Sequence, residues 1–315
     1  MEQVNSKILM FGEYSLLHDS MALTIPFNKF SGELCYPDKK KKEESHKALL
    51  SNKGIREFCK HILENHTDEQ FKLNVHELSA ELDKGLFFKS NIPQGFGLGS
   101  SGALVAAVFL RYLDKAGDFK DELKGITKDQ IKNLKNCLGA LEGYFHGTSS
   151  GIDPLSILIN EPLLLKSDKE IVKVNIPEFQ ENGKHVIFLL NTGLARNTEN
   201  LVGKFNDACE KESFKAKLEK ELIEYTNGGI NDFLNANTKS LYKNLENLVQ
   251  FQMDEMNYLI PKAYQQIVKD GLASKDYFIK ICGSGGGGYM LGFTENWEKT
   301  QQKLKNEDLE ILYRY

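Results

Sequence analysis

The chain has 315 residues, 41% hydrophobic and 27% charged, with a net charge of −4. That suits one large or two medium domains with a sizeable core and gives no basic field for nucleic acid. No apolar run reaches the ~18 residues of a membrane span. The start MEQVNSKILMF has no secretory pattern. Cys35, Cys59, Cys137, Cys209 and Cys282 are scattered without a CxxC pair, which points away from a disulfide frame or zinc knot and to a reducing cytoplasm.

In chain order, SKILMF (6–11) reads as a strand and ALTIPFNKFSGELCY as one or two more. PDKKKKEES is a charge run, expected as a solvated loop tip. HKALLSNKGIREFCKHILENH has helical spacing, and FKLNVHEL and GLFFKSNI read as strands. Residues 99–114 are apolar on nearly every face, which predicts a central helix. TKDQIKNLKNCLGALEGYF (127–145) is amphipathic, with Thr127 as its N-cap. PLSILI, PLLLK and IVKVNI read as short strands, and HVIFLLNTG as a buried one. From Arg196 to Asp270 the pattern is mainly helical, interrupted by NGG at 227–229. YFIKICGSGGGGYMLGF is strand, glycine loop, strand; a helix and a last strand, LEILYRY, follow. Strands and helices mix without strict βαβ alternation, which predicts an α+β fold in two domains, 1–182 and 183–315.

Two glycine loops carry the chemistry. SNIPQGFGLGSSGALVAAVFL places Gly95, Gly97, Leu98, Gly99, Ser100 and Ser101 at the start of the apolar helix. A helix start offers unpaired N–H groups and a positive dipole end, which suits phosphate. Gly97 to Gly102 matches G-x-G-x-x-G literally, but the early βαβ unit and the later acidic residue of a dinucleotide fold are missing, as is any P-loop signature. The two serines fit either phosphate or Mg2+ contacts, or a plain helix cap. Gly283-Ser284-Gly285-Gly286-Gly287-Gly288 between strands reads as backbone lining a site. HGTSSGIDP holds one carboxylate, Asp153, and Glu142 lies eleven residues before it. Phosphoryl transfer needs anion-binding backbone, a metal carboxylate and a group at the attacking hydroxyl. The loops, Glu142 and Asp153 supply those parts. Lys7 and Glu13 add charge to a segment otherwise made for burial. Arg196, in NTGLARNTENL, is the arginine beside a functional-looking turn; it suits a two-pronged hold on a carboxylate, with Thr198 as a hydroxyl donor or cap.

KILMFGEYSLL, PQGFGLGSSGA, EGYFHGTSSGID and KICGSGGGGYML occur in the order and style of the GHMP kinases, and the third stretch is most similar to mevalonate kinases. The resemblance implies an N-terminal domain like ribosomal protein S5 domain 2 and a ferredoxin-like C-terminal domain. It implies ATP and Mg2+ as cofactors and a small-molecule acceptor, mevalonate first, with phosphomevalonate, a sugar or homoserine as alternative acceptors and a nucleotide-binding regulator without turnover as the rival class. The charge balance and the lack of a long apolar run point to no nucleic-acid or membrane partner. By position, Asp153 matches the catalytic base and Lys7 the lysine beside it. Ser101 and Glu142 match the Mg2+ ligands, Gly95 to Ser101 the triphosphate loop, and Gly283 to Gly287 the third motif. Three departures stand out: Gly102 replaces the alanine after Ser-Ser, Ser284 sits inside the glycine run, and Tyr14 stands where a histidine is frequent. His146 reads as a structural hydrogen-bonder beside the turn.

Overall fold

The computed structural model describes residues 3–38, 42–114, 119, 123, 125–167, 169–195 and 198–315, with backbone alone for 42–44 and 198–200. The chain divides into two compact units: Met1–Lys7, Pro26–Pro93 and Leu98–Glu161 form one, and Ile8–Ile25, Gln94–Gly97 and Pro162–Tyr315 the other.

In the first unit the far half of strand β2 (Ala22–Cys35) pairs antiparallel with β3 (Phe87–Ser90), from Gly32↔Ser90 to Cys35↔Phe87. Helices α1 (Lys42–Asn65), α2 (Val75–Asp83), α3 (Ser100–Tyr112), α4 (Lys128–His146) and α5 (Ile152–Ile159) complete it. As its composition predicts, α3 is buried along almost its whole length, from Gly102 to Tyr112. Thr127 caps α4 in a reciprocal capping box with Gln130. Arg111 on α3 makes a forked pair with Glu81 on α2, whose carboxylate also accepts from the Tyr112 hydroxyl.

Two segments read as strands are helices here. In FKLNVHEL the Asn74 side chain accepts the Glu77 N–H and starts α2, so the cap signal overrides the alternation. PLSILI lies in α5, whose residues are nearly all buried. A segment apolar on every face has no periodicity to separate strand from helix.

In the second unit the near half of β2 pairs with β4 (Leu163–Leu165), and β4 with β5 (Ile171–Lys173). Strand β1 (Gln3–Phe11), of which Ile8–Phe11 belong to this unit, completes a five-stranded sheet ordered β1-β2-β4-β5, with β3 off that path on β2. The other sheet is antiparallel, ordered β7-β8-β6-β9, from β6 (Val186–Asn191), β7 (Phe278–Ile281), β8 (Tyr289–Thr294) and β9 (Asp308–Arg314). Helices α6 (Thr198–Cys209), α7 (Glu212–Lys217), α8 (Ile223–Leu234), α9 (Thr238–Glu255) and α10 (Gln265–Ser274) connect β6 to β7, and α11 (Trp297–Lys303) connects β8 to β9. One crossover between β6 and β7 and another between β8 and β9 give the ferredoxin-like arrangement, β6 and β8 central.

NGG at 227–229 does not interrupt the helical run. It sits inside α8, where a Cβ on Gly228 would lie 2.7 Å from the Asn244 amide and one on Gly229 3.1 Å from the Phe11 ring. The glycines let α8 approach its neighbours closely, and Asn227 accepts from the Ser20 hydroxyl and the Met21 N–H.

Candidate active site

The end of the first glycine loop is shaped by β1 and α5. Gly95, Gly97 and Gly99 all have φ of 77°, the left-handed region that favours glycine. At Gly99 a Cβ would also meet Ile157 Cδ1 at 3.0 Å and Lys7 Cε at 3.3 Å, while the Lys7 N–H donates to the Leu98 carbonyl. Gly99 is the N-cap of α3 and no side chain caps the helix. The plain-cap reading of Ser100 and Ser101 therefore fails, and Ser101 spends its hydroxyl elsewhere.

It spends it on Glu142. Ser101 Oγ donates to Glu142 Oε1 at 3.0 Å, and Ser149 Oγ donates to Oε2 at 2.5 Å. His146 Nε2 lies 3.0 Å from Ser101 Oγ. Glu142 is buried. Burial and the nearby Asp153 charge push its carboxyl above the ordinary range, more than the serine hydrogen bonds and His146 draw it down. A buried carboxylate of that kind gains from a cation. Two hard oxygens 3.0 Å apart fit one edge of an octahedron with ~2.1 Å metal–oxygen bonds. Among the described residues no three His, Cys, Asp or Glu side chains gather as a metal cluster.

Asp153 opens α5, where the helix start favours its negative charge. Its Oδ1 pairs with Lys7 Nζ at 2.7 Å; the lysine side chain is 6% exposed and the aspartate 37%. The charge is thus anchored on one side and open on the other. Close backbone packing sets its place. A Cβ on Gly102 would lie 2.8 Å from the Pro154 nitrogen, and one on Gly151 2.0 Å from the Lys135 carbonyl. Glycine at 102, the departure noted in the sequence, is what lets α3 touch α5.

The remaining sequence-derived residues belong to the second unit. Glu13 is buried and paired with Lys280 Nζ at 2.5 Å, and it also takes the Gly283 N–H; burial pushes its carboxyl up against the pull of Lys280. Lys280 donates as well to the Ile281 carbonyl and stands over the Phe11 ring. In the third-motif loop Gly283, Gly285, Gly286, Gly287 and Gly288 all have positive φ. A Cβ on Gly285 would lie 2.7 Å from the Leu259 carbonyl, which accepts the Gly286 N–H, and the Leu194 carbonyl accepts the Gly288 N–H. Tyr14 donates its hydroxyl to the Ser284 carbonyl at 2.7 Å. Arg196 lies outside the described residues, and for Thr198 the backbone alone is described, opening α6.

Lys280 and Ser149 escaped the sequence reading. A lysine inside the apolar strand FIKI was the signal for the first; the second was one hydroxyl among several in HGTSSG.

Residues 55–159 match the family model of the GHMP kinases N terminal domain. The match covers about a third of the chain, and the whole chain has the fold of solved GHMP kinase structures. It is similar to the mevalonate kinase of Methanococcus jannaschii, with a TM-score of 0.60 at 17% identity, covering 98% of this chain and 96% of that one. It is similar to Streptococcus pneumoniae phosphomevalonate kinase in complex with phosphomevalonate and AMPPNP, with a TM-score of 0.58 at 14% identity and coverage of 98% and 99%. Lactococcus lactis galactokinase complexed with galactose gives 0.61 at 13% identity, covering 99% and 93%. No curated protein sequence matches the chain. Among the described residues no helix is long and apolar enough to cross a membrane.

Proposed function

We propose that the protein is an ATP- and Mg2+-dependent kinase that phosphorylates the primary hydroxyl of mevalonate to 5-phosphomevalonate. The observation that carries the reading is the pairing of Lys7 with Asp153 at 2.7 Å in the same unit as the Ser101–Glu142 oxygens. The first-turn N–H groups of α3 and the glycine loop Gly95 to Ser101 hold phosphate oxygens. Ser101 and Glu142 hold Mg2+, which when bound neutralises phosphate charge. Asp153 orients the attacking hydroxyl and takes its proton, and the Lys7 ammonium offsets the charge that develops there. Glu13 acts from within, through Lys280 and the Gly283 N–H, on the loop Gly283–Ser284–Gly285 that faces substrate. Arg196 anchors the acceptor carboxylate, assisted by Thr198.

A coupled assay with purified enzyme tests this against mevalonate, phosphomevalonate, galactose and homoserine. Mevalonate is expected to give the highest kcat/KM. A higher value for another acceptor overturns the substrate, and no turnover with any acceptor overturns the kinase. Arg196→Met is expected to raise KM for mevalonate about tenfold or more, the size of a lost charge-assisted hydrogen bond of ~1.5–3 kcal/mol, with KM for ATP nearly unchanged.

A further inference from the structure

Ser149 and Ser101 both send a hydroxyl proton to Glu142, and each has a second neighbour that explains why. A serine hydroxyl has one proton to give and two lone pairs to accept with. The Gly151 N–H donates to Ser149 Oγ at 3.0 Å. A backbone N–H only donates, so the Ser149 proton is free to go to the carboxylate. At Ser101 the corresponding neighbour is His146 Nε2, also at 3.0 Å. With Ser101 donating to Glu142, the contact is a hydrogen bond only if the ring nitrogen carries the proton.

We propose that His146 is a positioning residue: its Nε2–H donates to Ser101 Oγ, aims the Ser101 proton at Glu142 Oε1, and leaves one Ser101 lone pair for Mg2+. His146 lies one turn after Glu142 on α4, which ends there at Gly147 in a positive-φ conformation. The ring is exposed, so packing into the core does not account for its place. Gly151 does for Ser149 with backbone what His146 does for Ser101 with a side chain. The inference rests on the proposed metal role of Ser101 and Glu142.

Calorimetric titration of ATP binding without acceptor, at varied Mg2+, tests it without turnover. His146→Leu, with its fold checked by circular dichroism, is expected to raise the Mg2+ needed for half-maximal ATP binding about tenfold, the order of one lost hydrogen bond. Metal-free ATP binding stays as it was. His146→Gln, whose amide reaches the same place with an N–H, stays near wild type. His146→Asn is too short to reach, behaves like the leucine variant, and replaces it should that chain fail to fold. In a Ser101→Ala background the His146 change adds nothing. A wild-type Mg2+ response in His146→Leu, an equal loss in the glutamine variant, or a further loss in the Ser101→Ala background overturns the inference. Wild-type ATP binding indifferent to Mg2+ overturns the metal reading, and the inference falls with it.

Discussion

In the proposed mechanism Asp153 serves both stability and chemistry. Its partner Lys7 is buried, and a buried ammonium that loses its carboxylate is left uncompensated. Asp153→Asn is therefore expected to lower Tm as well as kcat. The kcat loss is about 10²-fold or more, with ATP affinity within a few-fold. The double variant Lys7→Met/Asp153→Asn removes the stranded charge, so it recovers part of the lost Tm and none of the activity. Thermal melts and steady-state kinetics on the three proteins separate the roles. A single variant retaining more than about a tenth of kcat contradicts the catalytic assignment.

At the level of elements, the site depends on helices that touch backbone to backbone. Gly102 brings α3 against the start of α5, and Gly139 with Gly151 brings α4 against the turn before it. The Gly102 contact is with the Asp153–Pro154 peptide itself. Adding one methyl there is overpacking against backbone that cannot rotate away. Gly102→Ala is expected to cost about 1–3 kcal/mol and to lower kcat by displacing Asp153, although alanine is the better helix former. A melt and a kcat measurement check both; a variant as stable and active as wild type shows that this contact does not place the carboxylate.

Across the whole molecule, charge sets the response to acid. The chain carries 44 acidic groups against 40 Lys and Arg and 7 His, so protonating the carboxylates leaves a strongly positive, self-repelling chain. Glu81 resists that step. Burial alone would raise its carboxyl, but hydrogen bonds from Arg111 and Tyr112 outweigh it and hold it below the ordinary range. A lowered folded-state value means stability present at neutral pH and lost as pH falls through that value. Glu81→Gln is expected to cost about 1.5–3 kcal/mol at pH 7. The gap to wild type narrows below about pH 4. Urea melts at both pH values measure it, and a gap that stays constant contradicts the assignment.

The sequence alone determined the parts whose signals are local. Glycines at positive φ, the Thr127 cap, the long apolar helix and the strand–loop–strand around Gly283 are each written within a few residues. The order of the motifs carried the resemblance to GHMP kinases and singled out Lys7, Ser101, Glu142 and Asp153 as candidates. Tertiary structure decided what those signals leave open. Glu13 could not reveal from its own neighbourhood that it pairs with Lys280, 267 positions away. PLSILI and NGG took helical form because of what surrounds them. His146 and Ser149 acquired meaning only when α4, its following turn and the start of α3 met around one carboxylate. Caps and glycine turns follow from covalent geometry and nearest neighbours, whereas the partner of a buried charge is chosen by whichever distant group the fold brings within hydrogen-bond reach.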